Sequence, residues 1–570
     1  MMCEMSSTWS TQLFSYSSPH ILHKPSDSSQ SSVLDRIIIE FTFLKAEKGW
    51  VMGNRHYSIA ERLVSYLEDE NRPLYFSLLT LLSAIIIRNA LELSVGTQPM
   101  ASAHTSILHN PEAASKVLTH FSLFYICIFL GITLIISLLS NENVLRVARL
   151  VGAGFIIIVT VPIVDLIVSA LTGTPPYYAY LFPDRTPHLL TGYLSFLSGT
   201  QGITFGMRLE VFIVTLSAGY YTYLKTTSLP RSLIAAVAVY SFIFISGALP
   251  YTVYWLSAAL GLDLNHPELF TLDTFNKVDL LLILLFILAL GWMQWSTYMK
   301  ALVKDLRFTR TLHYSFMIVL GIVIAYPARE RFTLLGDFLD LIFIFIALLF
   351  AGYFSIITNN LADKAIDRIS NPDRPTITGI IPEHIYSSLG PVCLIAAWSY
   401  SAAVDAVSFL MISCFLGGYF LYSMPPLRLK RIPILSKAII AFNCLAMLGL
   451  GIHFAGADIL SFPKNQTLFL FLALTACINF IDIKDIDGDR KEGIKTIPVL
   501  FGLKKSKVLI GLFFVFSYAL FPQFMNYPDI FWPSLLFGLA IFAAINLKNY
   551  KENRVFIIYL SSFVALLFYI

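Results

Sequence analysis

The stretch LIFIFIALLFAGYFSIITNNLADKAIDR, residues 341–368, passes from an apolar run directly into a polar segment. The apolar part is long enough for a membrane-spanning helix, and no turn residue separates it from the polar part. Asn359, Asp363 and Asp367 follow at intervals of four, which places them on one face of a continuing helix. Because carboxylates without partners are unfavourable at a membrane boundary, we expect cations to meet this face.

The composition of the whole chain is that of a membrane protein. The chain has 570 residues, of which 56% are hydrophobic and 13% charged, and its mean hydropathy is +0.70. A soluble protein cannot hide so much apolar surface, so the expected fold class is all-α, a polytopic transmembrane helical protein. The net charge of +4 is small, and no basic, aromatic-interleaved stretch indicates nucleic-acid binding.

About fifteen apolar runs of roughly 17–25 residues are candidate membrane spans. They lie near residues 75–95, 118–140, 147–172, 206–224, 232–258, 278–299, 312–327, 337–358, 385–404, 406–424, 434–454, 466–481, 508–523, 530–547 and 554–570. The polar motifs described below all follow KALVKDLRFTR, residues 300–310. We therefore expect an N-terminal membrane module of about six helices (53–300) and a C-terminal module of about nine (301–570).

The first 50 residues are polar and rich in serine, and they lack the charged-then-apolar order of a signal sequence. We interpret residues 1–52 as a disordered N-terminal segment. Met52 precedes GNRHYSIAERLVSYLEDENRPLYF, which is typical of a natural N-terminus, so we expect translation to begin near Met52.

Lysine and arginine are concentrated in alternate links between the candidate spans. The basic links lie near residues 141–149, 225–231, 300–310, 359–384, 425–437, 482–507 and 548–554. Because basic links remain in the cytoplasm, we expect a multi-pass protein of the cell membrane with these links on the cytoplasmic side. The polar motifs all lie in these links, so the expected active site faces the cytoplasm.

A second acidic stretch, FIDIKDIDGDRKEGIKT at residues 480–496, also leaves an apolar span directly. Asp482, Asp485 and Asp489 stand at i, i+3 and i+7, again on one helical face. One such cluster alone is more often a solvated helix end. Two clusters on one side of a membrane module favour divalent cations such as Mg²⁺, which prefer carboxylate oxygens and take phosphate oxygens as further ligands. The pair therefore predicts a receptor for a diphosphate.

Basic residues accompany both clusters. Arg368 and Arg374 follow the first cluster, and Lys495 follows the second. Between the clusters, LYSMPPLRLKR at residues 421–431 carries Arg428 and Lys430 after two prolines. These cations are either a positive-inside anchor, with Tyr422 as an interfacial aromatic residue, or contacts to a leaving diphosphate.

The two acidic motifs resemble those of the UbiA-type intramembrane prenyltransferases, over about residues 305–570. That family carries N-D-x-x-D-x-x-x-D after its second helix, similar to Asn359, Asp363 and Asp367, and D-x-x-D-x-x-x-D after its sixth, similar to Asp482, Asp485 and Asp489. The R-P-x-x-x-G that often follows the first motif stands here as Arg374, Pro375 and Gly379, and GIKTIPVLFG at residues 493–502 resembles the stretch after the second. Asn360 departs from the pattern, because the family usually has Asp there. An amide can ligate Mg²⁺ through its carbonyl oxygen, but it removes one negative charge.

The resemblance implies transfer of a prenyl group from a prenyl diphosphate to a lipophilic acceptor within the bilayer, with Mg²⁺ as cofactor. Quinone, chlorophyll- or tocopherol-like and ether-lipid biosynthesis all use such reactions. The implied metal ligands are Asp363, Asp367, Asp482, Asp485 and Asp489. The implied substrate contacts are Asn359, Asn360 and Arg368, and the implied catalytic residues are Arg374, Tyr422, Arg428, Lys430 and Lys495.

A second hypothesis is a transporter or lipid-handling membrane protein that uses the N-terminal module. Asp165 lies inside the apolar run GFIIIVTVPIVDLIVSAL, one turn beyond Pro162, and an intramembrane carboxylate is a functional candidate. A buried Asp bonded to neighbouring helices is the bland alternative. Arg88 and Glu92 are four apart, and we expect them to pair with one another. A third hypothesis is an inactive relative with a structural role alone.

Overall fold

The computed structural model describes residues 59–95, 111–176, 189–198, 202–261, 272–325 and 335–567, and side chains for most of them. The described residues from Leu63 onward form one compact unit. Over the described residues the chain consists of α-helices, short 3-10 helices and connecting turns, without a β-strand. The predicted segment 1–52 and the expected start near Met52 lie outside the described residues.

Among the described residues, the N-terminal half includes four helical segments that are long and strongly apolar, together with further helices. They are α1 (Ile59–Leu67), α2 (Leu74–Val95), α3 (Pro111–Ser140), α4 (Val144–Gly154), α5 (Thr160–Thr172), α6 (Leu189–Leu194), α7 (Phe205–Thr226), α8 (Leu229–Gly247) and α9 (Leu249–Ala259). A 3-10 helix, Phe155–Val159, joins α4 to α5, so that residues 144–172 form one span.

The C-terminal half begins with a helix that packs on both halves. Its helices are α10 (Leu272–Gln294), α11 (Ser296–Asp305), α12 (Phe308–Ile324), α13 (Leu335–Ala362), α14 (Lys364–Ser370), α15 (Pro375–Thr378), α16 (Glu383–Ala402), α17 (Ala406–Ser423), α18 (Leu435–Phe454), α19 (Lys464–Cys477), α20 (Ile486–Lys491), α21 (Ile497–Phe501), α22 (Leu503–Phe524), α23 (Phe531–Asn546) and α24 (Glu552–Leu567).

The predicted fold class is confirmed. Where they are described, all fifteen predicted stretches lie on helices, and within the described residues eleven helical segments are long and apolar enough to cross a membrane. α12 is apolar but shorter. The stretch predicted at 232–258 is two helices, because Pro250 lacks a backbone N–H and stands at the start of α9. The stretch at 278–299 is interrupted at Trp295, between α10 and α11.

Buried apolar clusters hold the described helices together. In the N-terminal half, α2, α3, α4, α7 and α8 surround a cluster that includes Ile85, Phe129 and Val239. In the C-terminal half, α12, α17 and α19 pack against α18, of which 72% is buried, so α18 is the central helix of this bundle. α22, α23 and α24 pack together beside it around a further apolar cluster.

α10 connects the two halves. It packs along α3, and Leu280, Leu281 and Leu284 contact the C-terminal cluster. The hydroxyl of Tyr400 donates to the carbonyl oxygen of Leu280 at 3.0 Å, and Lys277 forms an ion pair with Asp340. The predicted division into modules at residue 300 stays a prediction.

Candidate active site

The two acidic clusters face one cavity at one end of the C-terminal bundle. α13 ends at Ala362, and Asp363 caps α14, which carries Asp367. A 3-10 helix, Ile478–Ile483, carries Asp482, and α20 carries Asp489. Because α14 packs against α20, both clusters line a cavity of about 160 Å³, the acidic cavity. Its acidic-motif residues are Asn359, Asp363, Asp367, Asp482, Asp485 and Asp489.

Asp363 is paired with two cations from the turn after α17. Lys430 Nζ and Arg428 Nη2 both donate to Asp363 Oδ1, the latter at 2.9 Å. α17 stops before Pro425 and Pro426, which cannot continue a helix, and the following turn brings Lys430 back toward α14. Burial lowers the pKa of Lys430, although Asp363 opposes that shift. The basic turn after α17 therefore contacts the first acidic cluster.

Asp367 is paired with Arg374. Arg374 Nε lies 3.3 Å from Asp367 Oδ1, which also accepts a hydrogen bond from Asn371 Nδ2 at 3.0 Å. The R-P-x-x-x-G pattern explains the position of Arg374, because it caps the single-turn helix α15, which starts at Pro375 and ends at Gly379 with φ +69°. Burial raises the pKa of Asp367 against the opposing effects of Arg374 and Arg307.

The second cluster is less completely neutralised. Lys437 Nζ donates to Asp482 Oδ1 at 2.7 Å, and both side chains are buried. Thr496 Oγ1 lies 3.5 Å from Asp489 Oδ2. Burial, with the nearby charges of Asp482 and Asp485, raises the pKa of Asp489 to about 7. Lys437 is not among the residues predicted from the sequence, because one lysine at the start of a span is typical of a positive-inside anchor.

Several carboxylate oxygens of the acidic cavity are buried without a hydrogen-bond partner. They are Asp367 Oδ2, Asp482 Oδ2 and Asp485 Oδ1. Among the described residues, no three His, Cys, Asp or Glu side chains converge closely enough to form a complete metal site. Mg²⁺ does not need one, since it is commonly held by one or two carboxylates, waters and substrate phosphates. The unpartnered oxygens on both clusters fit that kind of binding.

The structure places some predicted residues away from the cavity wall. Arg368 and Lys495 are exposed and do not line it. Arg368 directly follows Asp367 on α14, so it projects about 100° away around the helix. Asn360, next to Asn359, is fully buried behind the wall. Arg428 contacts Asp363 and the carbonyl oxygen of Ala362 without lining the cavity itself.

Two further arginines line the cavity from the start of α12. Arg307 and Arg310 belong to LRFTR, at the predicted boundary between the two modules. Arg310 Nη2 donates to Glu552 Oε1 at 2.8 Å, and Lys484 Nζ donates to Glu552 Oε2 at 2.6 Å. Burial would raise the pKa of Glu552, but the charges of Arg310 and Lys484 outweigh it and lower that pKa to about 2. Glu552 thus stays ionised between the two cations.

The inner wall of the acidic cavity is aromatic. Phe415, Tyr419 and Tyr422 follow at helical spacing on α17, and Tyr314 on α12 faces them. The ring centroids of Tyr314 and Phe415 are 4.8 Å apart, and those of Tyr419 and Tyr422 are 6.2 Å apart. The predicted residue Tyr422 therefore lies in a band of aromatic faces between the polar mouth and the bundle interior.

An apolar cavity of about 130 Å³ adjoins the acidic cavity. It lies among α12, α19, α22, α23 and α24, and its wall is nearly all apolar. Four residues belong to both walls: Leu474, Cys477, Phe514 and Tyr559. A ligand with a charged head and a long apolar tail could therefore extend from one cavity toward the other.

Asp165 and Arg88, two buried charged residues of the N-terminal half, are bonded to neighbouring helices. Asp165 accepts hydrogen bonds from Thr204 Oγ1 at 2.6 Å and from the backbone N–H of Gly206 at 2.8 Å, at the start of α7. Arg88 pairs with Glu92 at 3.2 Å, as expected, and also with Glu210 at 3.2 Å. These contacts favour the structural interpretation of Asp165 over a role in transport.

The fold and the cavity together define a helical membrane protein with paired acidic and basic groups at one end of a bundle. Residues 314–563 match the model of the UbiA prenyltransferase family. That match covers less than half of the 570 residues, and over it the resemblance found in the sequence is confirmed. This part of the chain is similar to the UbiA prenyltransferases.

Individual relatives resemble part of the chain. A digeranylgeranylglyceryl phosphate synthase from Methanoculleus marisnigri is 30% identical over 30% of this chain and 58% of its own length. A 2-acylphloroglucinol 4-prenyltransferase from Humulus lupulus, a chloroplastic protein, is 28% identical over 29% of this chain and 42% of its own length. The chain thus spans less than two thirds of these relatives. The solved structure of a UbiA homolog from Archaeoglobus fulgidus bound to GPP and Mg2+ is 19% identical, covers 47% of this chain and 98% of its own, and has a TM-score of 0.39.

Proposed function

We propose that the protein transfers a prenyl group from a prenyl diphosphate to a lipophilic acceptor within the membrane, with Mg²⁺ as cofactor. The observation that supports this most directly is the acidic cavity itself. Side chains from two acidic segments more than one hundred residues apart line one cavity, together with lysines and arginines, and an apolar cavity adjoins it. The names of the relatives, a digeranylgeranylglyceryl phosphate synthase and a prenyltransferase, point to the same class of reaction.

The cavity suits a diphosphate because its cations are held by carboxylates that can exchange partners. Arg374, Lys430 and Lys437 are each paired with an acidic-motif carboxylate, and Arg307 lies beside Arg374. Bound Mg²⁺ would neutralise diphosphate charge from the carboxylate side of the cavity. The lysines and arginines would then donate to the diphosphate oxygens, and these charge-assisted hydrogen bonds strengthen as negative charge develops on the leaving group.

The chemistry requires breaking the bond between the allylic carbon and the diphosphate oxygen. The bonding electron pair leaves with the diphosphate, and the acceptor supplies a new electron pair to the allylic cation and afterwards loses a proton. The faces of Tyr314, Phe415, Tyr419 and Tyr422 can stabilise the cation through their negative quadrupoles. The surrounding apolar wall excludes water, which would otherwise capture the cation.

The active site is proposed to face the cytoplasm in the cell membrane. The links that bear the acidic motifs, 359–384 and 482–507, and the link 425–437 are rich in lysine and arginine. The positive-inside rule assigns such links to the cytoplasmic side. The apolar tail of the substrate would extend into the apolar cavity and the bilayer, while the diphosphate stays near water.

The test is substitution of one carboxylate from each cluster in the full-length protein. Asp363→Ala and Asp482→Ala are expected to reduce Mg²⁺-dependent prenyl transfer by at least about a hundredfold, since each removes a group that binds the charged head. Asp487→Ala is the matched control, because Asp487 lies in the second acidic stretch but its side chain is 80% exposed. Unchanged activity in either cavity variant would refute the assignment. Extracting lipids and quinones from cells that lack the gene identifies the acceptor by the missing product.

A further inference from the structure

Asn360 lies at the centre of a buried hydrogen-bond network behind the wall of the acidic cavity. Its Nδ2 donates to Asp305 Oδ2 at 3.0 Å and to the Tyr386 hydroxyl at 2.8 Å. Its Oδ1 accepts from Arg307 Nη2 at 3.0 Å and from Arg374 Nη1. The Tyr386 hydroxyl in turn donates to Asp305 Oδ2 at 2.6 Å. Asn360 and Tyr386 are both fully buried.

The partners on each side fix the orientation of the amide. The two arginines can only donate, so they require the carbonyl oxygen, and the Asp305 carboxylate can only accept, so it requires the NH₂ group. An amide at position 360 satisfies both sides at once, whereas a carboxylate could not donate to Asp305. This explains why Asn stands where the family pattern usually has Asp.

Arg307 and Arg374 both line the acidic cavity, and neither Asp305 nor Asn360 does. Two neighbouring guanidinium groups repel each other, and they remain together only if acceptors and a compensating charge lie beside them. Asn360 supplies the shared acceptor, and Asp305 supplies the negative charge. Asp305 does not line the cavity itself, and it affects the two arginines there through Asn360.

We infer that Asp305 is a positioning residue that acts through Asn360 and Tyr386 to hold Arg307 and Arg374 toward the diphosphate. This inference rests on the proposed function. Asp305 is the last residue of α11 and precedes the segment 314–563 that matches the family. α11 directly follows α10, which packs on the N-terminal half. The N-terminal part of the chain is thereby connected to the arginines of the site.

A charge exchange between positions 305 and 360 tests the inference. Asp305→Asn removes the compensating charge, and Asn360→Asp places two carboxylates in contact within a buried network. Each single variant is expected to raise KM for the prenyl diphosphate and to weaken binding of inorganic pyrophosphate with Mg²⁺ by about tenfold or more, since buried polar groups lose their partners. In the double variant, the amide introduced at position 305 can donate to the carboxylate introduced at position 360, and that carboxylate accepts from both arginines. The pyrophosphate affinity of the double variant is expected to recover to within about threefold of the wild type.

The measurements are calorimetric binding of pyrophosphate with Mg²⁺ and steady-state kinetics, on the full-length protein. KM for the acceptor is expected to stay unchanged, which a general loss of structure would not allow. Glu383→Gln is the control, because it makes the same acid-to-amide change in an exposed pair with Lys364 and should behave as the wild type. Tyr386→Phe removes only one hydroxyl, so it should fold and weaken pyrophosphate binding by a smaller factor in the same direction.

Two results would overturn the inference: wild-type pyrophosphate affinity in Asp305→Asn or Tyr386→Phe, or a double variant that binds no better than the weaker single variant. Failure of the proposed function has a different signature. In that case the wild-type protein turns over no prenyl diphosphate, while the pyrophosphate binding of the wild type and the variants still decides whether Asp305 positions the arginines.

Discussion

Asp489 makes the proposed metal affinity depend on pH near neutrality. Burial, with the charges of Asp482 and Asp485, raises the pKa of Asp489 to about 7, so this carboxyl holds a proton on the acid side of neutrality. Metal ligands must be deprotonated, so the apparent affinity for Mg²⁺ with pyrophosphate should fall as the pH decreases from about 8 to about 6, by at most about tenfold per unit. Titration of Mg²⁺ at several pH values, followed by calorimetry, measures this dependence.

Substitution at position 489 separates this effect from other titrating groups. Asp489→Asn should lower Mg²⁺ affinity and flatten its pH dependence, while Asp487→Asn, on the exposed side of α20, should keep the wild-type profile. The raised pKa of Asp489 affects the stability of the fold in the opposite direction to the metal affinity. Because the folded pKa lies above the ordinary carboxyl value, the stability of the metal-free protein should decrease as the pH rises through about 7. A wild-type pH profile in Asp489→Asn would contradict the assignment.

At the residue scale, the carboxylates were predictable and their partners were not. The spacing of Asp363 and Asp367, and of Asp482 and Asp489, is visible within one helix turn or two, so local periodicity is enough to find it. Lys437 pairs with a residue 45 positions later in the chain, and Asn360 with residues on two other helices. Such contacts depend on how the helices pack, which no local pattern contains.

At the element scale, α12 and α18 cross with their backbones in contact. A Cβ atom added at Gly451 would lie 2.0 Å from the carbonyl oxygen of Ile318, and one at Gly321 would lie 2.1 Å from that of Leu448. Close crossings of this kind require small residues in membrane bundles. Gly451→Ala should therefore displace α12, whose Arg310 and Tyr314 line the acidic cavity. We expect a lower temperature of thermal unfolding and a rate of prenyl transfer reduced by at least about tenfold.

Gly417→Ala on α17 is the control for that substitution, because a Cβ atom added there meets nothing within 4 Å. Thermal unfolding in detergent and steady-state rates, measured side by side, give the comparison. If Gly451→Ala has the unfolding temperature and the steady-state rate of the wild type, α12 and α18 do not cross as closely as the structure has them.

The helices themselves were largely predictable, because a span must be apolar over a length set by the bilayer. The approximate positions of all fifteen stretches follow from that one constraint. Pro250 marks the division between α8 and α9 in the sequence. The span at 232–258 was predicted from its apolar run alone, and such a run does not show where one helix ends and the next begins. The short helices α14, α15 and α20, which carry or position site residues, have no apolar signal at all.

At the scale of the whole molecule, the site depends on elements from most of the C-terminal half. α12, α13, α14, α17, α18 and α20 each supply cavity residues. The distribution of lysine and arginine predicted that the acidic links lie on one side of the membrane, but their convergence depends on the packing of α14 against α20. The N-terminal half forms its own buried cluster and reaches the site through α10 and α11.

The orientation of the whole molecule in the membrane can be measured by cysteine labelling. Lys491→Cys, in the exposed part of α20, should react with a membrane-impermeant maleimide only after intact cells are permeabilised, because its link is rich in lysine and arginine. Leu460→Cys, in the link between α18 and α19, should react in intact cells, since Leu460 is 87% exposed and one span separates the two links.

Replacing Cys3 and Cys414 with serine lowers the background, as the other four cysteines are buried. Equal labelling of both sites after permeabilisation is the control for reactivity. Labelling of Lys491→Cys in intact cells would put the acidic cavity on the outer face, where cytoplasmic prenyl diphosphates could not reach it.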